Sequence, residues 1–453
     1  MRTAIALAAA IALAGCTVGP KYRRPALDVP PAYRNAGQPG DKPSIGDEKW
    51  WALFQDPALQ NLIRIALERN YDIRIAAARI LEAQAQVGVA RSEQFPTISA
   101  GAGYTGQKIP TFAFVLAELQ GVFSWNLDFW GVYRKATEAA RANLLATEWN
   151  RRLVLSTVVA NVASAYFTLR ELDAELDISR KTLTSRQQSL QLTQTLERGG
   201  AVGLLDVRQA EQLVETAAEA IPETERQIAL QEDLISTLMG ENPHDIPRGL
   251  GLTEQPLPPE VPAGLPSELI ERRPDIRAAE AQLMAANAQI GVARAQFFPS
   301  LPLTGGGGLA SPNLAGLFGG GAAAWTFNAI GSQPIFTGGR LRSNLRLTEA
   351  QQQQALLSYQ QTIQLAFRQV SDQLAAYGKF RDFREHQQRL TTAAADAARL
   401  SDMRYRGGAA SYLEVLTSET NYFAAQLNLA RAQLNERLSL VQMYNALGGG
   451  WQQ

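Results

Sequence analysis

From Glu138 to Glu197 the chain contains neither proline nor glycine. Nothing there interrupts a helix that, at 1.5 Å per residue, reaches roughly 90 Å. No globular core is that deep. Leu169, Leu176, Leu183 and Leu190 fall at strict seven-residue intervals, as do Val207, Val214, Ile221, Ile228 and Ile235, with Ala210, Ala217 and Leu238 on a second seam. Seven-residue repeats of this kind specify coiled coils. Farther on, Ile363, Phe367, Val370, Leu374 and Tyr377 step by four and three, and Leu413, Leu427, Leu434 and Val441 again fall on a seven-residue frame. Pro222 interrupts the second seam and predicts a kink, or a new segment after Ile221.

The pattern occurs twice because the chain is duplicated. Glu68-Arg69-Asn70-Tyr71-Asp72-Ile73-Arg74 returns as Glu271-Arg272-Arg273-Pro274-Asp275-Ile276-Arg277, Ala85–Arg91 as Ala288–Arg294, and Phe95-Pro96 as Phe298-Pro299, all 203 residues apart. Phe129-Trp130-Gly131 matches Phe336-Thr337-Gly338 at 207, and Arg198-Gly199-Gly200-Ala201 matches Arg406-Gly407-Gly408-Ala409 at 208. The drift falls between Pro96 and Phe129, so the second copy has a longer excursion there.

Within that excursion the hydrophobic period changes to two. Phe123-Ser124-Trp125-Asn126-Leu127-Asp128-Phe129 alternates without a miss, and Trp325-Thr326-Phe327-Asn328-Ala329 obeys the same rule. With weaker partners at Thr97–Thr105 and Ser300–Gly308, each copy contributes a β-hairpin, with tips near Gln107–Leu116 and Pro312–Gly321. Apolar residues on one face and Ser124, Asn126, Asp128, Thr326 and Asn328 on the other suit a barrel wall between lipid and water; a soluble hairpin is the competing reading. Four strands cannot close a barrel, and an open edge in lipid finds no hydrogen-bond partners. Two chains would supply eight strands and a filled interior; three would supply twelve and a lumen.

Composition removes other classes. The 43 Lys+Arg and 43 Asp+Glu balance, leaving no basic footprint for nucleic acid. One Cys and two His cannot build a Cys/His zinc site, and no cofactor is expected. No G-x-S-x-G, Walker A or H-E-x-x-H pattern occurs, and Gly305–Gly308 lacks the Lys-Ser/Thr of a phosphate cradle. The chain reads as a non-enzyme. Arg2 and the apolar run Ala4–Ala14 form a secretory signal, too short to span a bilayer. Leu13-Ala14-Gly15-Cys16 resembles a bacterial lipobox, making Cys16 the lipidation site; Thr17, rather than Asp, then points to the outer membrane.

Taken in order, the segments are 1–15, signal peptide; 16–56, a lipidated extended stretch; and 57–240, the first repeat, with its β-hairpin at about 97–131 and helical tip at about 198–204. Next comes a proline-rich linker at 241–266, holding seven prolines. The second repeat is 267–448, with its β-hairpin at about 300–337 and tip at about 406–411, and 449–453 is a tail. In order along the chain stand Cys16-Thr17-Val18-Gly19-Pro20-Lys21-Tyr22; Trp50-Trp51 with Phe54, Asp56-Pro57 and Leu59; Arg273-Pro274-Asp275-Ile276-Arg277; Gln333-Pro334-Ile335-Phe336; and Arg404-Tyr405-Arg406 with Gly408 and Ser411–Leu416. Together these motifs resemble the outer-membrane factors of tripartite efflux systems, the TolC-like channels, and most closely the NodT-type lipoprotein branch. The resemblance implies an α+β membrane protein: a homotrimer with a twelve-stranded outer-membrane barrel, in contact with membrane lipid, continuous with a twelve-helix periplasmic tunnel.

It also implies a periplasmic adaptor and an inner-membrane RND pump as partners, and an exit duct as the function. A duct for type I protein secretion with an ABC exporter and a non-conducting coiled-coil scaffold are the alternatives. The two glycine turns, Arg198–Gly203 and Arg406–Ser411, break the coiled coils as helix C-caps do, with Asp206 and Glu414 opening the next helices. Capping alone would explain them. The resemblance makes them the periplasmic mouth, with Arg404, Tyr405 and Arg406 as gate residues and Glu414 and Asp206 as acidic partners. Gly200, Gly408 and Ser411 become the adaptor-contact turns. Thr417 stands where family members often carry Asp, which bears against an acidic ring at that level.

Overall fold

The computed structural model describes residues 17–35, 44–256 and 262–452. The signal peptide and Cys16 lie outside the described residues. Long helices and one small sheet account for most of the chain, and they divide into two compact units.

Nine α-helices are described: α1 Trp50–Leu53, α2 Pro57–Arg69, α3 Tyr71–Ser92, α4 Val132–Arg198, α5 Leu204–Leu238, α6 Pro266–Arg272, α7 Pro274–Ala295, α8 Arg340–Arg406 and α9 Tyr412–Ala446. The duplication is visible in their lengths. Helices α3 and α7 both have 22 residues, α4 and α8 both 67, α5 and α9 both 35. Of the two outcomes expected at Pro222, a kink or a new segment, the new segment does not occur: helix α5 runs through it. The proline removes one hydrogen bond, but Ala217 and Thr224 on either side are buried, and the Thr224 hydroxyl donates to the Ala220 carbonyl at 2.8 Å.

The first unit holds the described part of residues 1–27 with 78–149 and 275–362. Its sheet has strands β1 Thr97–Ile109, β2 Phe112–Asn126, β3 Pro302–Ser311 and β4 Ala323–Ala329, antiparallel in the order β1-β2-β3-β4. Pro110-Thr111 alone turns β1 into β2, whereas residues 312–322, with a 3₁₀ turn at Leu314–Gly316, separate β3 from β4. Thr97 faces Ser124, and Ser300 faces Ser332. Those pairs span 27 and 32 residues, so the whole five-residue drift sits in the second tip. The repeat step below the hairpins is therefore 208, one more than the Phe129/Phe336 match. Gly131 and Gly339, with φ of 83° and 86°, are the true counterparts, and Trp325 stands level with Ala117 rather than with Phe123.

The N-terminal strap of this unit is held by charge and close packing. Arg24 and Arg277 both reach Glu280 at 2.9 Å, a carboxylate whose side chain is 5% exposed. The Asn287 amide donates to the Pro20 carbonyl at 3.2 Å.

The second unit holds residues 28–77, 150–274 and 363–453, as far as described. The stretch 16–56, expected to be extended, contains a 3₁₀ turn at Ile45–Asp47 and helix α1, because Ser44 caps the first and Trp50 and Leu53 are buried by the second. Asp56 ties this stretch to the rest of the unit. One of its oxygens caps α2 at the Ala58 amide (2.8 Å), while the other accepts from Tyr166 Oη (2.8 Å), the Leu250 amide (3.0 Å) and Gln255 Nε2 (2.6 Å). The proline-rich segment is thus fastened to α4 over its described part. Repeat symmetry extends to single bonds: Asn70 Nδ2 donates to the Leu238 carbonyl at the end of α5, and its counterpart Arg273 donates to the Ala446 carbonyl at the end of α9, both at 2.8 Å.

Candidate functional site

Two places carry chemistry, the sheet and the helical turns. Strand register assigns every sheet residue to a face, because directly paired residues project to the same side. One face carries Ile98, Ala100, Ala102 and Tyr104 of β1, Val115, Leu119, Phe123 and Trp125 of β2, Leu303 and Leu309 of β3, and Trp325 and Phe327 of β4. Lys108 and Ser311 interrupt it only near the tips. The other face carries Thr97, Ser99, Thr105 and Gln107, then Glu118, Gln120, Ser124 and Asn126, then Thr304, Thr326 and Asn328, with Val122 among them and Ile109, Phe112, Phe114 and Leu116 making it apolar towards the first tip. Ile98 and Trp325 are 81% and 80% exposed. Large apolar side chains gain about 1.5–3 kcal/mol each on leaving water, so an apolar face this open requires an apolar environment. Trp125 and Trp130 stand at the base of the hairpins, donating indole N–H bonds to the Gln94 and Pro299 carbonyls at 3.0 and 2.8 Å. Their rings are apolar with one polar handle, as suits a membrane interface.

At the turns the backbone is the same twice. Gly200 and Gly408 adopt φ of 73° and 71°, a region open to glycine and strained for other residues. Behind Gly200, its own N–H bonds to Glu197 O (2.8 Å) and the Ala201 N–H to Leu196 O (2.9 Å); behind Gly408, the same bonds run to Tyr405 O (2.9 Å) and from Ala409 to Arg404 O (2.8 Å). This is the Schellman cap, which satisfies carbonyls that the helix end would otherwise orphan. A Cβ at either glycine would meet nothing within 4 Å. The two tips are open.

The charged candidates separate. Arg404 Nε lies 3.6 Å from Glu414 across the turn, and its Nη2 donates to the Ala409 carbonyl at 3.3 Å. Arg406 pairs instead with Asp402 at 2.8 Å, one helical turn back. Asp206 forms no ion pair among the described residues, although its charge reaches Tyr405. Ser411 is the N-cap of α9 but makes no side-chain cap bond. Thr417 is exposed, its hydroxyl returned to the Leu413 carbonyl at 2.9 Å.

Tyr405 faces inward. It is 6% exposed, in a cluster with Ala210, Leu213, Tyr412 and Val415 that Leu190, Leu196, Val202 and Leu416 adjoin. Its ring meets Tyr412 edge-on at 5.1 Å. Burial raises the phenol above its ordinary pKa, with the neighbouring Thr193 hydroxyl acting the other way and Asp206 reinforcing the rise. Thr193 donates to Ser189 O, and Tyr405 Oη makes no hydrogen bond of good geometry among the described residues. Next to this cluster stands a residue that sequence reasoning missed. Arg186, 3% exposed, donates to the Leu213 carbonyl at 2.8 Å and lies over the Phe423 ring at 4.9 Å. Burial lowers its pKa and the Glu419 charge opposes that. An arginine on a seven-residue seam reads as solvated from sequence, since its partners lie on other helices.

Residues 62–241 and 265–449 match the family model described as outer membrane efflux protein, one segment in each repeat. The toluene efflux pump outer membrane protein TtgC of Pseudomonas putida is 37% identical over 458 residues, covering 98% of this chain and 94% of that protein. The cation efflux system protein CusC of Escherichia coli is 35% identical over 450 residues, covering 98% of each. Among solved structures, the open state of the MtrE outer membrane channel of Neisseria gonorrhoeae matches with a TM-score of 0.88 and 32% identity, over 96% of this chain and 99% of that one. The outer-membrane channel OprN gives 0.89 and 30%, over 96% and 100%. Matched across both repeats, the chain belongs to the outer membrane efflux protein family and is a protein of the outer membrane.

Proposed function

We propose that three copies of this chain close a twelve-stranded barrel and a twelve-helix periplasmic tunnel. Together they serve as the exit duct of a tripartite efflux system, passively passing small molecules delivered by an adaptor and an inner-membrane RND pump. The observation that carries this is the sheet: four strands among the described residues, apolar on one face and mostly polar on the other below the first tip, with no described strand paired to the outer edges of β1 and β4. Unpaired edges in lipid leave N–H and C=O groups without partners, so only closure with further strands is stable. The relatives named for toluene and cation efflux support small cargo, and the glycine turns with Arg404 and Glu414 serve as the mouth that an adaptor engages. Cys16 is the lipid anchor in this reading, and the described segments fall into two repeats around the 241–266 linker.

Protein extracted in detergent is expected to have the mass of three chains plus bound detergent. A stable monomer retaining the full strand content overturns the closure. Mass spectrometry of the mature N-terminus is expected to find an acylated Cys16.

A further inference from the structure

The internal repeat fixes how two copies meet at the barrel seam. Within one chain, β2 of the first hairpin pairs with β3 of the second, each β2 residue facing the β3 residue that gives Asn126↔Pro302 at one end and Ala117↔Ser311 at the other. This is the junction between consecutive hairpins. The seam between copies joins β4 to β1 of the next copy, again the end of one hairpin to the start of another. Strand β4 corresponds to β2 at a step of 208, shown by the Ser300↔Ser332 and Thr97↔Ser124 bridges, and β1 corresponds to β3 at a step of 203.

Carrying the observed junction across those steps, we propose that β4 of one copy pairs with β1 of the next, antiparallel, in one register. Ala329 faces Tyr104, Asn328 faces Thr105, Phe327 faces Gly106, Thr326 faces Gln107 and Trp325 faces Lys108. The inference rests on closure by further copies of the chain, as proposed above.

The faces agree across the seam, as mapping one hairpin onto the other requires. Ala329, Phe327 and Trp325 lie on the apolar face of β4, and Tyr104, Gly106 and Lys108 on the apolar face of β1. Asn328 and Thr326 lie on the polar face, as do Thr105 and Gln107. A shift of one residue would turn every β1 side chain to the wrong side. Shifts of two keep the faces but break the equivalence of the hairpin junctions. The register also sets the large Phe327 ring opposite a glycine, as Phe123 and Phe327 already lie opposite Gly305 within the chain, with Gly305 open towards both rings.

Directly opposed residues are about 4.5–5.5 Å apart at Cα, within disulfide reach, whereas positions two residues off are about 7–8 Å away. In full-length protein in the outer membrane, Asn328→Cys with Thr105→Cys is expected to form interchain disulfides about tenfold faster than Asn328→Cys with Gly103→Cys or with Gln107→Cys. Thr326→Cys with Gln107→Cys tests the same register at a second point, and single-cysteine variants give the background from Cys16. The pair Thr304→Cys with Asn328→Cys, opposed within one chain, reports a native sheet by losing maleimide labelling without a change in mass. Fastest closure at Gly103 or Gln107 overturns the register and leaves the closed barrel standing. No interchain product at any of these positions, with the intrachain pair closed, overturns both.

Discussion

Tyr405 illustrates how a side chain chosen from the sequence can act differently once its neighbours are known. A buried phenol without a well-formed hydrogen bond forfeits about 1–3 kcal/mol of solvation, so removing the hydroxyl removes a cost. Tyr405→Phe is expected to leave thermal stability unchanged or to raise it slightly, while Tyr405→Ala, which empties the cluster around Tyr412 and Val415, is expected to cost about 3–5 kcal/mol. Thermal melts monitored by circular dichroism separate the two; a large loss in Tyr405→Phe would mean that Oη has a partner. The sequence places Tyr405 beside the turn, but its inward direction depends on α4 and α5, which lie far away in the chain. Asp56 teaches the same lesson. Its local role, capping α2 before Pro57, is readable from Asp-Pro, whereas Tyr166, Leu250 and Gln255, at 110, 194 and 199 residues' separation, leave no local signal.

All four long helices end in the same element, with Gly200, Gly240, Gly408 and Gly448 at positive φ between 71° and 81°. Their surroundings differ. A Cβ at Gly240 would lie 2.5 Å from the Arg69 carbonyl oxygen, whereas one at Gly408 meets nothing within 4 Å. Gly408→Ala is therefore expected to cost only the backbone strain, about 1–2 kcal/mol, and Gly240→Ala distinctly more; equal losses in parallel melts would contradict the steric account. The helix bundle also contains a pH-sensitive pair. Glu171 and Glu175 on α4 are both buried, and burial, then the neighbouring Glu175 charge and hydrogen bond, push Glu171 up to about 8 against the pull of Arg431. A carboxyl whose pKa is raised on folding stabilises fully below its unfolded value near 4.5, and that contribution is lost as pH rises through about 8. Melting temperature is thus expected to fall between pH 5 and pH 8, and Glu171→Gln to flatten the fall; an unchanged pH slope would place the ionisable group elsewhere. Helix lengths and glycine ends are legible because periodicity and φ > 0 are local properties. Strand β3 is hard to read because Gly305–Gly308 carries no alternation, and its partners alone reveal the faces.

In the proposed trimer the gate is built three times, and the energetics decide whether it can hold. Within one chain the Arg404–Glu414 pair is weak: its side chains are 59% and 49% exposed at 3.6 Å, and exposed pairs contribute about 0–1 kcal/mol. Bringing three mouths together removes water, and charge-assisted contacts then contribute about 1.5–3 kcal/mol each. An adaptor opens such a mouth only by its differential affinity for the open form. If each copy loses roughly 1 kcal/mol of closing energy, the trimer loses about 3 kcal/mol, a shift of roughly 100-fold in the open-to-closed ratio. Arg404→Ser combined with Glu414→Gln is therefore expected to raise single-channel conductance in planar bilayers and to admit large antibiotics into cells. Tyr405→Phe, whose hydroxyl is turned into the chain, is expected to change neither. Unchanged conductance in the double variant, with trimers intact, would assign Arg404 and Glu414 to capping the turn and place the constriction elsewhere.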